Sequence, residues 1–365
     1  RNLITQSGGD VSDYPINALE TVFYPTNKIR LPVDKENVIK SGIVKEKDRD
    51  KIVDFIDIDL PESILTKNQI MMLDILANNN WERPIYFTGG SYADSEYIWM
   101  KEYLQLDGLV YKLVPIRTEI DKSNPYLMGR VDSELMFEIV NKWSWGNSDG
   151  ENIYHDPETR KNSISFRSNM SRLVETLIVE KKYDKAEHII DLAFEKMPIE
   201  FYGYYSLWTP FVDSYYKVGN NTKATEVIGK LSNKYIQRLN YFASLDIYYH
   251  YNLTQEIVSE IERYRNLIDL TIENEDYDIA SDQIISFLES SEPFSYLYGE
   301  FDYYLSLIDY VEVLYKSDDY ENSKMILLEI KEQFEKRLAT FSNLPEESQL
   351  YYIENISSDI NNYQR

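Results

Sequence analysis

Four times in its second half the chain sets a small residue three positions after a tyrosine or asparagine, just ahead of an apolar helical face. The pairs are Tyr183 and Ala186 in KYDKAEHIIDLAFEKMP, Asn221 and Ala224 in NNTKATEVIGKL, Tyr277 and Ala280 in DYDIASDQIISFL, and Tyr320 and Ser323 in DYENSKMILLEI. A recurrence of one local form predicts stacked units of one supersecondary type, none of which buries its apolar face alone. An amphipathic stretch precedes each: Phe166, Met170, Leu173 and Leu177; Trp208, Phe211, Val212 and Tyr215; Ile257, Ile261, Tyr264 and Ile268; Leu305, Ile308, Val311 and Tyr315. Their spacing follows the 3.6-residue period, so residues 161–365 are expected to form helical hairpins with the small residue at each close crossing.

Such hairpins resemble tetratricopeptide repeats. The intervals between the small residues are 38, 56 and 43, longer and less even than the roughly 34 of that repeat, so the array is expected to be degenerate rather than a regular superhelix.

The first half follows another pattern. At roughly 100 to 200 residues per domain, 365 residues predict two domains. Residues 1–50 contain Pro15, Pro25 and Pro32 and no sustained period, which reads as an irregular leader. From residue 51 Val53, Phe55, Ile56 and Ile58 alternate with acids up to Pro61, as in a strand. Thr66 and Gln69 have capping-box spacing and open a helix over about 67–78, which Asn78 to Asn80 end by taking turn or left-handed conformations. Pro84 then starts a strand through Ile85 to Thr88, and Gly89 and Gly90 end it. A helix carrying Tyr97, Ile98, Met100, Tyr103 and Leu104 and a third strand in GLVYKLVPI complete the order βαβαβ. That order predicts a small, largely parallel sheet in an α/β domain over 51–125. Residues 126–160, with a short helix at 132–142 and then a run rich in Gly, Asn, Asp and Ser, are expected to connect it to the helical domain. The fold class is therefore α/β plus α.

Charge and composition exclude several functions. Lys and Arg number 38 against 62 Asp and Glu, a net charge of -24 that repels phosphate backbones, so nucleic acid is not an expected partner. With no cysteine there is no disulfide, thiolate metal site or cysteine nucleophile. His155, His188 and His250 lack ligand-like spacing, no HExxH or GxSxG occurs, and neither metal nor cofactor is expected. The longest uncharged stretch, Phe201 to Val212, is broken by Gly203 and Pro210 and is too short to span a bilayer. Thirty-two tyrosines suit helix interfaces that are only partly dry.

Two constellations are candidates for binding. Gly89-Gly90-Ser91, between a strand and a helix, either cradles a phosphate or carboxylate on free N–H groups or is a plain tight turn. Trp143, Trp145, Asn147 and Tyr154 bring together the aromatic faces and polar groups of a sugar or peptide site, or else plug the boundary between two domains. Asp156, Pro157 and Glu158 read as a helix N-terminus, which leaves His155 without a catalytic duty. Trp81 is either a core anchor or the lining of a groove.

VDKENVIKSGIV, TKNQIMMLDILANNNWERPIYFTGG, YLQLDGLVYKLVP, KWSWGN, YHDPETR and EKMPIEFYGYYS, in this order, resemble the C-terminal part of a family of large membrane proteins of unknown function. The resemblance covers about residues 14 to 240 and is to the bacterial members; an animal relative is a protein O-mannosyltransferase. It implies a membrane glycosyltransferase using a lipid-linked donor, whose tail lies on the extracytoplasmic, periplasmic side, with acidic donor and acceptor motifs upstream of Arg1. It assigns no catalytic residue to this chain. The expected role is non-catalytic: docking of a protein or peptide acceptor on the helical-repeat surface, or assembly with partners, next to an upstream membrane domain of the same chain. Two alternatives stand beside it, a free-standing helical-repeat scaffold and a small α/β enzyme binding a phosphorylated ligand at Gly89 to Ser91.

Overall fold

The computed structural model describes residues 28–60, 65, 67–88, 98–119, 128–298, 307–343 and 345. The chain divides into two units, residues 1–147 with 165–185, and residues 148–164 with 186–365.

In the first unit, β1 (Lys28–Pro32), α1 (Lys35–Lys40) and β2 (Phe55–Asp59) come first. The two strands pair antiparallel, with Arg30 opposite Asp57 and Lys28 opposite Asp59. The Arg30 guanidinium clasps the Asp57 carboxylate through Nε at 2.7 Å and Nη2 at 3.0 Å. Ile56 and Ile58 point the other way and are buried. The period-2 alternation thus makes Asp57 and Asp59 a solvated, cross-paired face. Lys28–Pro32 lies within the stretch expected to be an irregular leader.

α2 (Lys67–Asn79) ends where the asparagine run predicts, with Asn80 at φ +45° and Trp81 at φ +60°. β3 (Tyr86–Thr88), β4 (Leu104–Asp107) and β5 (Val110–Leu113) form a sheet of order β3-β5-β4 in which every pairing is antiparallel. The expected parallel βαβαβ sheet is therefore corrected. Asp107 pairs with Val110, so only Gly108 and Leu109 lie between β4 and β5, and a two-residue connection joins antiparallel strands only. Gly108, at φ +72°, supplies the positive φ that such hairpin turns need at their first central position. Ile98–Tyr103 is a 3₁₀ turn, and Leu104, expected on a helix, starts β4 instead. Gly129 allows the closest approach in this unit: a Cβ there would lie 1.9 Å from the Leu104 carbonyl oxygen. The closeness lets Arg130 exchange backbone bonds with Leu104 and Leu106. α3 (Ser133–Asn141) starts at Asp132, whose carboxylate accepts from the Leu135 amide at 3.2 Å.

α4 (Pro157–Val179) and α5 (Tyr183–Lys196) each have residues in both units. The second unit continues with α6 (Ile199–Tyr202), α7 (Thr209–Lys217), α8 (Asn221–Ala243), α9 (Ile247–Asn252), α10 (Thr254–Glu273), α11 (Tyr277–Ser291), α12 (Ser295–Tyr298), α13 (Ile308–Lys316) and α14 (Tyr320–Ser342). Here α8 packs on α7, α10 and α11, and α13 on α11 and α14.

The recurrence seen in the sequence is also a recurrence of backbone. Lys181, Gly219, Glu275 and Asp318 all adopt the left-handed conformation, at φ +59°, +83°, +58° and +62°. At each turn the next residue's N–H reaches back to a carbonyl five positions earlier: Lys182 to Leu177 at 2.8 Å, Asn220 to Tyr215 at 2.9 Å, Asp276 to Thr271 at 3.1 Å and Asp319 to Leu314 at 2.9 Å. The left-handed residue bonds three back, to Ile178, Tyr216, Ile272 and Tyr315. This is the Schellman ending, which satisfies carbonyls that a helix end leaves free. Asn220 and Asp319 then cap the following helix through their side chains. Ala186, Ala224, Ala280 and Ser323, four positions further on, are all buried, and the Ser323 hydroxyl donates to the Val311 carbonyl at 3.3 Å.

The expected faces on α4, α7 and α10 are buried from Met170 to Leu177, Trp208 to Tyr215 and Ile257 to Ile268 at the residues named. On α13 the expectation is corrected. Leu305 lies outside the described residues, Ile308 and Tyr315 are exposed, and Leu307, Tyr310, Val313 and Leu314 are buried instead. The stretch LSLIDYVEVLY is apolar on more than one face, so its period does not select one. An aromatic line runs through this unit: Tyr205 against Tyr235, Tyr235 stacked on Tyr264 at 5.6 Å, then Phe287 and Tyr310. Among the described residues no helix is long and apolar enough to cross a membrane.

Candidate functional site

Gly89, Gly90 and Ser91 lie outside the described residues. Trp143 and Trp145 meet edge-to-face at 5.4 Å and close around Phe166, at 5.1 and 5.6 Å. A Cβ on Gly108 would meet Ile139 Cγ2 at 2.8 Å, too close for a real contact, and the Trp143 indole at 3.5 Å, an ordinary one. Both indoles are half-buried and Asn147 is exposed, all three in the first unit; Tyr154, 79% exposed, belongs to the second.

Residues 155 to 160 form the capping arrangement the sequence predicts. Asp156 Oδ1 accepts from the amides of Glu158 and Thr159 at 2.9 and 3.1 Å, and Oδ2 accepts from the Thr159 hydroxyl at 2.6 Å. Those bonds, the hydroxyl's foremost, hold its carboxyl below the usual range. His155 is buried, stacked on Phe201 at 5.0 Å, and its Nε2 meets the Gly150 carbonyl at 3.1 Å.

The buried acids of the first unit are already bound to cations. Asp107 and Lys112, each 5% exposed at the side chain, pair at 3.0 Å, and Gln105 donates to Asp107 at 2.8 Å. Asp48 takes Lys51 at 2.6 Å and Arg130 at 3.1 Å. Burial works to raise the Asp48 pKa, but the Lys51 hydrogen bond and the Arg130 charge outweigh it and the net shift is downward. Charges spent in this way hold the fold together and are poorly placed to exchange protons with a substrate.

The second unit holds a cleft of about 430 Å³ that no sequence motif announces as a whole. Its rim is the Tyr202-to-Ser206 turn, its base is Tyr235 and Glu260, and Arg160, Arg238 and Arg263 surround it. The turn requires two unusual residues in succession, Gly203 at φ +63° and Tyr204 at φ +48°. Glu260 is 2% exposed, and its Oε1 receives both Arg238 Nε and Arg263 Nη1 at 3.1 Å. Its Oε2 and the Tyr235 hydroxyl are buried without a hydrogen-bond partner. Burial, and next the Glu260 charge, push the Tyr235 phenol well above its ordinary pKa, so it stays a neutral donor. The rim lies in the quoted EKMPIEFYGYYS and Arg160 in YHDPETR, while Glu260 and Arg263 come from α10, far along the chain.

Among the described residues no group of three or more His, Asp or Glu stands close enough to share a metal ion. No curated protein and no solved structure matches the chain. Residues 3–135 match the family model of TMEM260-associated domain 2, a description that fits the protein O-mannosyltransferase-related family resembled by the sequence motifs.

Proposed function

We propose that this chain is a non-catalytic, extracytoplasmic accessory region of a glycosyltransferase-related membrane protein of the O-mannosyltransferase kind, and that its helical unit docks an acceptor polypeptide or a partner protein. The match over residues 3–135 carries the reading. Three further features support it. The buried acids Asp48 and Asp107 are already engaged by lysine or arginine, as structural charges are. The second unit is a succession of packed helices, and stacked helical arrays commonly hold polypeptides on their surfaces. Tyrosines 241, 248 and 251 are exposed by 61%, 67% and 67%, offering amphipathic contact area of the sort protein interfaces favour.

On this reading the groups that hold the lipid-linked sugar belong to a membrane domain upstream in the same polypeptide. The test is a transfer assay in which the 365-residue chain is given a lipid-linked mannose donor and an acceptor polypeptide. No glycosylated product is expected, together with measurable binding of the acceptor. Product formed by this chain alone would overturn the proposal.

A further inference from the structure

In a chain of net charge -24, three guanidinium groups converge on the cleft of the second unit, around one carboxylate. Burying the Glu260 carboxylate is costly unless it is paired, and Arg238 and Arg263 pair only its Oε1. Both arginine side chains remain about half exposed, at 48% and 46%, so each has N–H donors left beyond the one given to Glu260. Arg160 is exposed and gives its Nε to the His155 carbonyl at 2.8 Å, which points it without neutralising it. The result is a local excess of positive charge on an otherwise acidic molecule.

The rim adds a second, independent observation. Tyr204 is held in the left-handed region, which an L side chain rarely adopts, and it is 49% exposed. Strain of this kind, kept on an exposed aromatic beside a charged cleft, is typical of ligand contacts. Tyrosine and arginine lead at protein-binding hot spots, and tyrosine, serine and glycine in paratopes, because a tyrosine ring gives rigid amphipathic area at little entropic cost.

We infer that this cleft binds an extended peptide segment bearing an acidic side chain, whose carboxylate lies among Arg160, Arg238 and Arg263 and whose backbone lies along the Tyr204 rim. Guanidinium groups take carboxylates in paired, charge-assisted hydrogen bonds. A bare oxyanion would use the guanidinium groups alone, whereas a peptide also covers the exposed Tyr204 side chain at the rim. The acidic surface elsewhere repels such a peptide, which confines it to the cleft. This deepens the docking role proposed above; it relies on that proposal only for where the peptide comes from, and its test uses no sugar donor, so the two fail separately.

The test is a fluorescence-polarisation titration of the 365-residue chain with a labelled Gly/Ser/Tyr peptide carrying two central aspartates, its Asn-Asn counterpart, and inorganic phosphate as competitor. The acidic peptide should bind at least tenfold more tightly than the amide version, and added salt should weaken it. Arg160→Gln and Tyr204→Gly should each lower affinity several-fold while the cooperative thermal transition is kept, since neither removes a partner of Glu260. Arg263→Gln should lower it further, and if that variant does not fold the other two still decide. Equal binding of the two peptides, no effect of either Arg160→Gln or Tyr204→Gly, or no acidic-peptide binding up to about 1 mM would overturn the inference. Saturable phosphate binding without peptide binding would overturn it as well, and would make the cleft a small-anion site.

Discussion

The indole of Trp81 donates from Nε1 to the carbonyl of Pro32 at 2.8 Å, tying the end of α2 to the end of β1 across 49 residues of sequence. Trp81 is 5% exposed and sits at φ +60°, a conformation rarely adopted by bulky side chains. The bond and the burial together hold that backbone in place. The tryptophan at the helix-to-strand handover is thus a core anchor.

Replacing Trp81 separates the two contributions. Trp81→Phe keeps most of the apolar contact but strands the Pro32 carbonyl, and should cost about 1–3 kcal/mol. Trp81→Ala adds a cavity and should cost about 3–5 kcal/mol. Urea unfolding followed by circular dichroism measures both. Equal losses would mean the apolar contact adds nothing beyond the hydrogen bond, and no loss for Trp81→Phe would mean the hydrogen bond contributes nothing.

The buried pair Asp107 and Lys112 should behave as an all-or-none unit. Lys112→Met alone leaves a desolvated carboxylate and should destabilise by about 3–5 kcal/mol, whereas Asp107→Leu with Lys112→Met should recover much of that loss. Recovery should stay incomplete, because Gln105 loses the acceptor it holds at 2.8 Å. A double-mutant cycle on denaturant midpoints checks the coupling; strictly additive losses would contradict it.

The left-handed turn residues predict stabilising substitutions. Lys181 and Glu275 are exposed and held at φ +59° and +58°. Changing either to glycine should relieve strain and raise stability by about 0.5–1 kcal/mol, net of the greater freedom of glycine when unfolded. Gly219→Ala, at φ +83°, should lower it by about 1 kcal/mol. Thermal melts of the three variants give the signs directly.

Glu134 predicts an acid-side dependence. Hydrogen bonds from Lys182 and Lys185 hold its carboxyl down to about 2, below an ordinary 4.5. The folded value is the depressed one, so the contribution is complete above about pH 4.5 and disappears as pH falls through about 2. Its side chain is 37% exposed, so solvent screening keeps the effect small. The stability difference between wild type and Glu134→Gln should shrink steadily from pH 5 to pH 2.5; a constant difference would show that the lysines do not act through charge.

What the sequence disclosed follows from which interactions are local. The asparagine run ended α2 to within a residue and the alternation about Ile56 and Ile58 located β2, while Thr66 of the expected capping pair lies outside the described residues. The parallel sheet was misread because the order of strands and helices was weighed above Gly108, a glycine at the first central position of a two-residue hairpin turn. Pairing of β1 with β2 depends on a partner distant in sequence, which no local pattern encodes. The small residues at 186, 224, 280 and 323 were visible, but the left-handed residue five positions before each was not, because three of the four are Lys, Glu and Asp rather than glycine. The cleft was hidden for the same reason as the sheet: Tyr204 is local to its motif, while Glu260 is brought to it only by packing.

The most direct test is hydrogen–deuterium exchange of the 365-residue chain, alone, with a lipid-linked sugar donor, and with acidic acceptor peptides. The account predicts slower exchange with the peptides, concentrated at the Tyr202-to-Ser206 turn and around Glu260 on α10, and no change with the donor. Protection by the donor within this chain, or an unchanged cleft with every peptide, would contradict it.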